Sequence, residues 1–159
     1  MTIKFQLDSS NKQKILINRK DASEDIRSEE CGTNASIIAR YERIRNDMIS
    51  FQRSFLKKPG LIADGRDMGT VVFSDSKIKI FLTADVDVRA KRRYKELKEK
   101  GINVSLAAVL SDMKIRDKQD KERKHGPLTM AHDSILVDST NKSIDIVVSE
   151  ILKYYENMY

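Results

Sequence analysis

Two stretches of the sequence combine arginines with carboxylates in a way that suits a phosphate ligand. The first is Asp64-Gly65-Arg66-Asp67-Met68-Gly69-Thr70, in which an arginine lies between two carboxylates. A guanidinium grips phosphate oxygens with paired N–H donors, and neighbouring carboxylates can hold it in the required orientation. The same stretch is equally compatible with a tight turn between a strand and a helix that carries only a local ion pair.

The second stretch runs from Arg116 to Pro127 and is dense in charge. If it is helical, Arg116, Asp120 and Arg123 share one face, because they are four and three residues apart. Such a helix could close over a phosphate. By spacing alone, however, the run is more typical of a solvated helix face.

Two further groups carry less information. Ser36 lies near the predicted start of a long helix, where a hydroxyl often caps the backbone, and Arg45 follows on that helix. The basic residues of the segment 89–100 alternate with glutamates and offer only Tyr94 for stacking on a base, which favours a solvated helix over a nucleic-acid surface. No histidine or cysteine has zinc-ligand spacing, so we predict no direct metal ligand.

The elements that must position these residues follow from hydrophobic periodicity. Residues 3–7 and 14–18 predict a β-hairpin, and apolar residues spaced by three and four predict one helix from Ala35 to about Leu56. Short apolar runs at 61–64, 78–83 and 135–138 predict strands, with helices at about 86–99, 104–117 and 143–157. This alternation predicts an α/β protein with a parallel sheet whose sites lie at the carboxyl ends of the strands.

Composition limits the function classes. The 159 residues carry a formal charge of +6, which favours anionic partners. The single Cys31 cannot form an internal disulfide, and no apolar run approaches the ~18 residues of a membrane span. We therefore expect a cytoplasmic protein without a membrane partner.

Together, these stretches resemble the bacterial cytidylate kinases, which transfer a phosphoryl group from ATP to CMP or dCMP. Residues 61–73 look like the family's most distinctive segment, and Arg116-Asp117 with Asp120, Arg123 and Pro127-Leu128 is similar to its lid. Val137-Asp138-Ser139-Thr140 is similar to its last strand and turn. Residues 1–51 resemble its CMP-binding insertion more weakly.

The resemblance implies a role for each candidate residue. It implies a base-reading set and a phosphate-binding set, which are Ser36, Arg45 and Asp67 for the cytosine and Arg66, Arg116 and Arg123 for the phosphates. Asp120 would bind the ribose or orient the arginines, and with Arg66, Arg116 and Arg123 it would form the catalytic group. Asp64 would organise hydrated magnesium beside ATP, the family's cofactors.

The implied architecture is a P-loop-kinase-like parallel sheet with flanking helices and a small antiparallel β/helix subdomain that binds CMP. We assign that subdomain to residues 1–52 and the kinase core to 53–159, with a lid at about 112–127. The resemblance also implies a monomer.

The sequence departs from the family at its start. The family begins with a strand and a phosphate-binding loop whose lysine grips ATP, whereas Met1 here falls inside the CMP-binding insertion. No Gly-x-x-x-x-Gly-Lys-Ser/Thr occurs in the 159 residues. We therefore expect an N-terminally truncated cytidylate kinase that is catalytically incomplete as this chain alone. Two alternatives stay open, a non-catalytic CMP-binding or regulatory module and a basic nucleic-acid-binding module.

Overall fold

The chain forms two compact units, each with its own secondary structure. The computed structural model describes residues 2–158, apart from the side chain of residue 29. One unit extends to Asp47 and the other begins at Met48. The boundary between residues 52 and 53, which the sequence predicts for the two domains, stays a prediction.

The first unit begins with an antiparallel sheet. Strands β1 (Ile3–Leu7) and β2 (Gln13–Ile17) pair from Ile3 opposite Ile17 to Leu7 opposite Gln13, and the short β3 (Lys20–Asp21) pairs with β2. The turn is built on Asp8, whose Oδ1 accepts hydrogen bonds from the backbone N–H groups of Ser10 and Lys12. The predicted hairpin is confirmed.

Two helices occupy the region where the sequence predicted one. They are α1 (Glu29–Ile38) and α2 (Glu42–Arg53), and the prediction of a single helix from Ala35 to Leu56 is wrong. The intervening residues make i→i+3 hydrogen bonds, from the N–H of Arg40 to the carbonyl of Ile37 and from that of Tyr41 to Ile38. This tight turn preserves the apolar spacing, so periodicity runs through the break.

The second unit alternates strands and helices after α2. Its elements are β4 (Ile80–Thr83), α3 (Val86–Glu99), α4 (Leu106–Glu122), β5 (Ile135–Asp138) and α5 (Ile144–Glu156). Strands β4 and β5 are parallel, with Ile80 opposite Ile135 and Thr83 opposite Asp138. The fold is therefore α/β, with a two-stranded parallel sheet, a small antiparallel sheet and helices, as predicted at that level.

The predicted strand at 61–64 is wrong. These residues join no sheet, and the side chain of Ile62 is 99% exposed. A short apolar run becomes a strand only where a neighbouring strand accepts its hydrogen bonds, and no described strand pairs with it.

The buried core of the second unit lies mainly between α3 and α4. Ala90, Leu97 and Val109 are buried together, and Val137 of β5 is fully buried. By contrast, α5 has no buried residue, and Ile144, Val148 and Leu152 lie exposed along it at spacings of four.

Among the described helices, none combines the length and apolar character needed to cross a bilayer.

Candidate functional site

Arg66 and Asp67 lie in the loop that leads into a short π-helix, Met68–Val72. Asp67 is the residue that begins this helix and is buried, whereas the Arg66 side chain is 55% exposed. The π-helix stacks one extra residue into its turn, an arrangement that is frequent at functional sites. The loop therefore presents the exposed guanidinium of Arg66 beside the buried carboxylate of Asp67.

Arg53 of α2 holds the far end of this loop. Its Nη1 donates to the carbonyl oxygen of Val72 at 2.9 Å, and its Nη2 donates to both carboxylate oxygens of Asp75 at 2.9 and 2.8 Å. A guanidinium that joins a backbone carbonyl to a carboxylate fixes the position of both. Arg53 thus anchors the π-helix that follows Arg66 and Asp67.

Asp120 is the centre of the site. It lies on α4, is 8% exposed, and uses its two carboxylate oxygens for two arginines. The Nε of Arg66 donates to Oδ2 at 2.8 Å, and Nη1 of Arg123 lies 3.7 Å from Oδ1. The structure therefore brings together Arg66, Asp120 and Arg123, although Arg66 and Asp120 are 54 residues apart in sequence.

Arg123 is buried at the end of α4. Arg123 caps the helix in an extended conformation rather than continuing it. The prediction that it shares one helical face with Arg116 and Asp120 is therefore wrong. Its Nε donates to the carbonyl oxygen of Gly126, whose φ of +58° favours glycine. The side chain is only 10% exposed.

One donor of Arg123 has no hydrogen-bond partner within the described part of the chain. Its Nη2 is buried and makes no hydrogen bond to any described atom. Burial lowers the pKa of Arg123, the charge of Asp120 opposes that lowering, and the charge of Arg66 adds to it. A buried, unsatisfied N–H is unfavourable, and an anionic oxygen at this point would satisfy both the donor and the charge.

Arg116 and Asp64 have less defined places. Arg116 is half-buried on α4, one turn before Asp120. Asp64 is exposed at the end of the 61–64 segment. Among the described residues, no group of three or more histidine, cysteine, aspartate or glutamate side chains is arranged to hold a metal ion.

Ser36 and Arg45 belong to the first unit. Ser36 is half-buried inside α1 and is not its cap, because Ser28 has that role and accepts from the N–H of Cys31. The expected capping role of Ser36 is therefore wrong. Arg45 lies on α2, and its Nη1 donates to the carbonyl oxygen of Ala39 at 3.3 Å.

Sequence reasoning missed a second charged contact of α4. Arg89 on α3 donates from Nη1 and Nη2 to the two oxygens of Asp117, at 3.2 and 2.6 Å. The sequence pattern marks Asp117 only as the neighbour of Arg116. No local pattern could have revealed its partner, which lies 28 residues earlier on another helix.

The basic helix α3 is engaged within the protein itself. Arg92 donates to the hydroxyl and carbonyl oxygens of Ser139, while Arg93 and Lys100 both pair with Glu96. These pairs agree with the interpretation of a solvated helix with internal ion pairs.

Comparison with known proteins decides the family. The model of the cytidylate kinase family matches residues 1–157. The chain belongs to the cytidylate kinase family. This finding confirms the resemblance drawn from the 61–73 segment and the lid.

Curated relatives agree with this family. The chain is 46% identical over 156 residues to the cytidylate kinase of Aeromonas salmonicida, a match that covers 98% of this chain and 67% of that protein. It is 47% identical over 141 residues to that of Nitrosomonas europaea, covering 89% and 63%. The match to the Colwellia psychrerythraea enzyme is 44% over 154 residues, covering 97% and 68%. The chain thus spans about two thirds of the length of these relatives.

Proposed function

We propose that this chain binds CMP or dCMP as the phosphoryl acceptor of a cytidylate kinase reaction, with the acceptor phosphate held by Arg66 and Arg123. The observation that carries the proposal is the buried Nη2 of Arg123, which has no partner among the described atoms. A phosphate oxygen is the ligand that best satisfies a buried guanidinium. Membership of the cytidylate kinase family supplies the nucleotide class.

The charges around Asp120 suit a doubly charged phosphate. Two arginines share one carboxylate, which leaves an excess of one positive charge at the site. A nucleoside monophosphate brings about −1.5 to −2 at neutral pH. Because phosphoryl transfer depends on positioning and charge neutralisation, these arginines are the groups we assign to it, together with Arg116.

Asp120 then acts as an orienting group. Its carboxylate accepts a hydrogen bond from Arg66 and lies in ionic contact with Arg123, so it draws both guanidinium groups to one place before any ligand arrives. We assign base reading to Asp67, with Ser36 and Arg45 as its proposed companions. A carboxylate accepts from the exocyclic amino group of cytosine, and a serine or arginine donates to its ring acceptors.

The sequence offers fewer groups for the donor nucleotide, ATP, than for the acceptor nucleotide. No Gly-x-x-x-x-Gly-Lys-Ser/Thr sequence occurs in the 159 residues, so we infer that these residues do not fit the phosphates of ATP, and we derive no step through it. We assign to Asp64 the organisation of a hydrated magnesium ion, because such an ion keeps most of its waters and needs only one or two carboxylates. We therefore propose that these 159 residues bind the acceptor nucleotide and do not turn it over unaided.

Calorimetry with the purified chain tests the acceptor site. We expect CMP and dCMP to bind more tightly than AMP. Arg66→Ala should weaken CMP by roughly ten- to a hundredfold, as expected for loss of a charge-assisted hydrogen bond. Arg93→Ala is the matched control, since it removes an arginine whose ion pair lies on α3.

Equal affinity for CMP and AMP would reject base reading, and an effect of Arg93→Ala equal to that of Arg66→Ala would reject the assigned phosphate site. A coupled assay with ATP, magnesium and CMP tests the remaining claim. We expect no turnover above background. Sustained turnover by the 159-residue chain would show that a donor grip exists within it.

A further inference from the structure

Arg89 joins three elements of the second unit at one guanidinium. Its Nε donates to the carbonyl oxygen of Ala84 at 3.0 Å, directly after strand β4. Its Nη1 and Nη2 donate to Asp117 on α4, at 3.2 and 2.6 Å. Because Arg89 itself lies on α3, one side chain ties the end of a strand and two helices together.

This contact lies beyond the apolar interface of the two helices. The core between them is formed by Ala90 and Leu97 from α3 and Val109 from α4, with Met113 packed against it. Asp117 follows one turn after Met113, and Asp120 follows three residues after Asp117. The Arg89–Asp117 pair therefore joins α4 to α3 between this apolar core and Asp120.

The geometry of the pair favours alignment over simple attraction. Two parallel N–H···O bonds between a guanidinium and a carboxylate restrict the relative rotation of both planes. Both side chains are partly buried, at 31% and 22% exposed, so solvent screens the pair less than a surface pair. The third donor is committed to the backbone at Ala84, so the guanidinium cannot swing freely with α4.

We propose that Arg89 is a positioning residue, acting through Asp117 to set the orientation of the end of α4 so that Asp120 meets Arg66. The effect of this positioning on nucleotide binding rests on the proposed function, because Arg66 is the proposed phosphate ligand. Neither Arg89 nor Asp117 touches the ligand in this proposal. Their effect passes through the Arg66–Asp120 hydrogen bond of 2.8 Å.

The primary test observes that hydrogen bond directly and needs no ligand. In a ¹⁵N-labelled sample of the whole chain, the Nε–H resonance of Arg66 reports the bond to Asp120. It is assigned by its loss in Arg66→Ala. We expect Asp117→Asn and Arg89→Lys each to shift this resonance and to speed its exchange with solvent. Lysine retains the charge of Arg89 but loses the paired donors, so it separates alignment from charge.

The matched control is Glu96→Gln, which weakens the two ion pairs of Glu96 with Arg93 and Lys100 near the end of α3. It should leave the Arg66 resonance unchanged. Circular dichroism of each variant establishes that it is folded, and having two disruptive variants keeps the test decisive if one does not fold. An Arg66 resonance that is unchanged in a folded Asp117→Asn or Arg89→Lys variant would overturn the positioning role.

The second test separates phosphate binding from base binding. In the same two variants we expect the affinity for CMP to fall about tenfold, as for a weakened charge-assisted hydrogen bond, while the affinity for cytidine stays within about twofold. An equal loss for CMP and cytidine would indicate general structural damage and would contradict the proposal.

The two tests fail in distinguishable ways. If the unaltered chain binds neither CMP nor cytidine, the proposed function fails, yet a shifted Arg66 resonance in the variants still supports the positioning role. If the unaltered chain binds CMP and the Arg66 resonance does not respond, the proposed function stands and the positioning role is refuted.

Discussion

Replacing Asp120 by asparagine tests whether one carboxylate holds both arginines of the site. Asp120 is 8% exposed, and the Arg123 side chain beside it is 10% exposed. Asparagine has nearly the same shape and keeps one oxygen acceptor, but it removes the negative charge that favours the ionised state of Arg123. The change therefore isolates the electrostatic role of the carboxylate.

The expected magnitude follows from burial. Removing one partner of a buried ion pair costs about 3–5 kcal/mol, whereas an exposed pair contributes about 0–1 kcal/mol. Arg123 belongs to the first class and Arg66, which is half exposed, belongs to the second. Because the amide oxygen still accepts from Arg66, we expect the lower limit, a loss of about 3 kcal/mol in the free energy of unfolding.

Thermal unfolding monitored by circular dichroism measures this loss. For a chain of this size, about 3 kcal/mol lowers the melting temperature by roughly 6–12 °C. Adding inorganic phosphate should recover part of the loss, because the anion supplies the missing negative charge and binds only the folded state.

The matched control is Asp112→Asn, which alters an exposed carboxylate on the same helix. Such surface changes are usually within about 0.5 kcal/mol, so its melting temperature should stay within about 2 °C of the unaltered chain. Equal melting temperatures for the two variants would refute the central role of Asp120. An absence of phosphate-dependent recovery would refute the assignment of this cluster to an anion.

Three further outcomes follow from other contacts. The hydroxyl of Thr140 lowers the pKa of Asp138 by hydrogen bonding, so Thr140→Val should raise that pKa towards its ordinary value of 3.8 in an NMR titration. Ionised Asp138 contributes stability that is lost as the pH falls through its depressed pKa. In Thr140→Val this loss should therefore occur at a higher pH. Lys79 is 8% exposed and pairs with Asp133 at 2.6 Å, so Asp133→Asn, which leaves a buried ammonium unpaired, should lower the denaturant midpoint more than Lys79→Met, which removes the charge itself. Gly101 follows α3 with a φ of +75°, so Gly101→Ala should reduce the free energy of unfolding by about 1 kcal/mol in urea titration, although open space surrounds the added methyl group.

Local sequence signals predicted elements that are stabilised locally or by a near neighbour. The turn of the hairpin is held by the side chain of Asp8, and α3 is capped by Asp85, whose carboxylate accepts from the N–H of Asp87. Its predicted range, 86–99, matches the observed helix. Such caps and turns are visible in a few consecutive residues.

The errors arose where distant partners decide the outcome. The apolar run at 61–64 has the composition of a strand, but a strand requires a neighbour that local sequence does not specify. The division between α1 and α2 is hidden because its short turn keeps helical spacing. Likewise, the types of Arg66, Asp120 and Arg123 suggested phosphate, but only folding reveals that a single carboxylate serves both arginines.

The exposed apolar side of α5 has a practical consequence for how the chain behaves in solution. Ile144, Val148 and Leu152 form a continuous strip that is open to water, while a net charge of +6 keeps chains apart. Salt shortens the range of that repulsion to about 3 Å at 1 M, and sulfate also strengthens apolar association. The chain should therefore self-associate as ammonium sulfate is raised, and nucleotide titrations are best made at low ionic strength in buffers that contain neither sulfate nor phosphate.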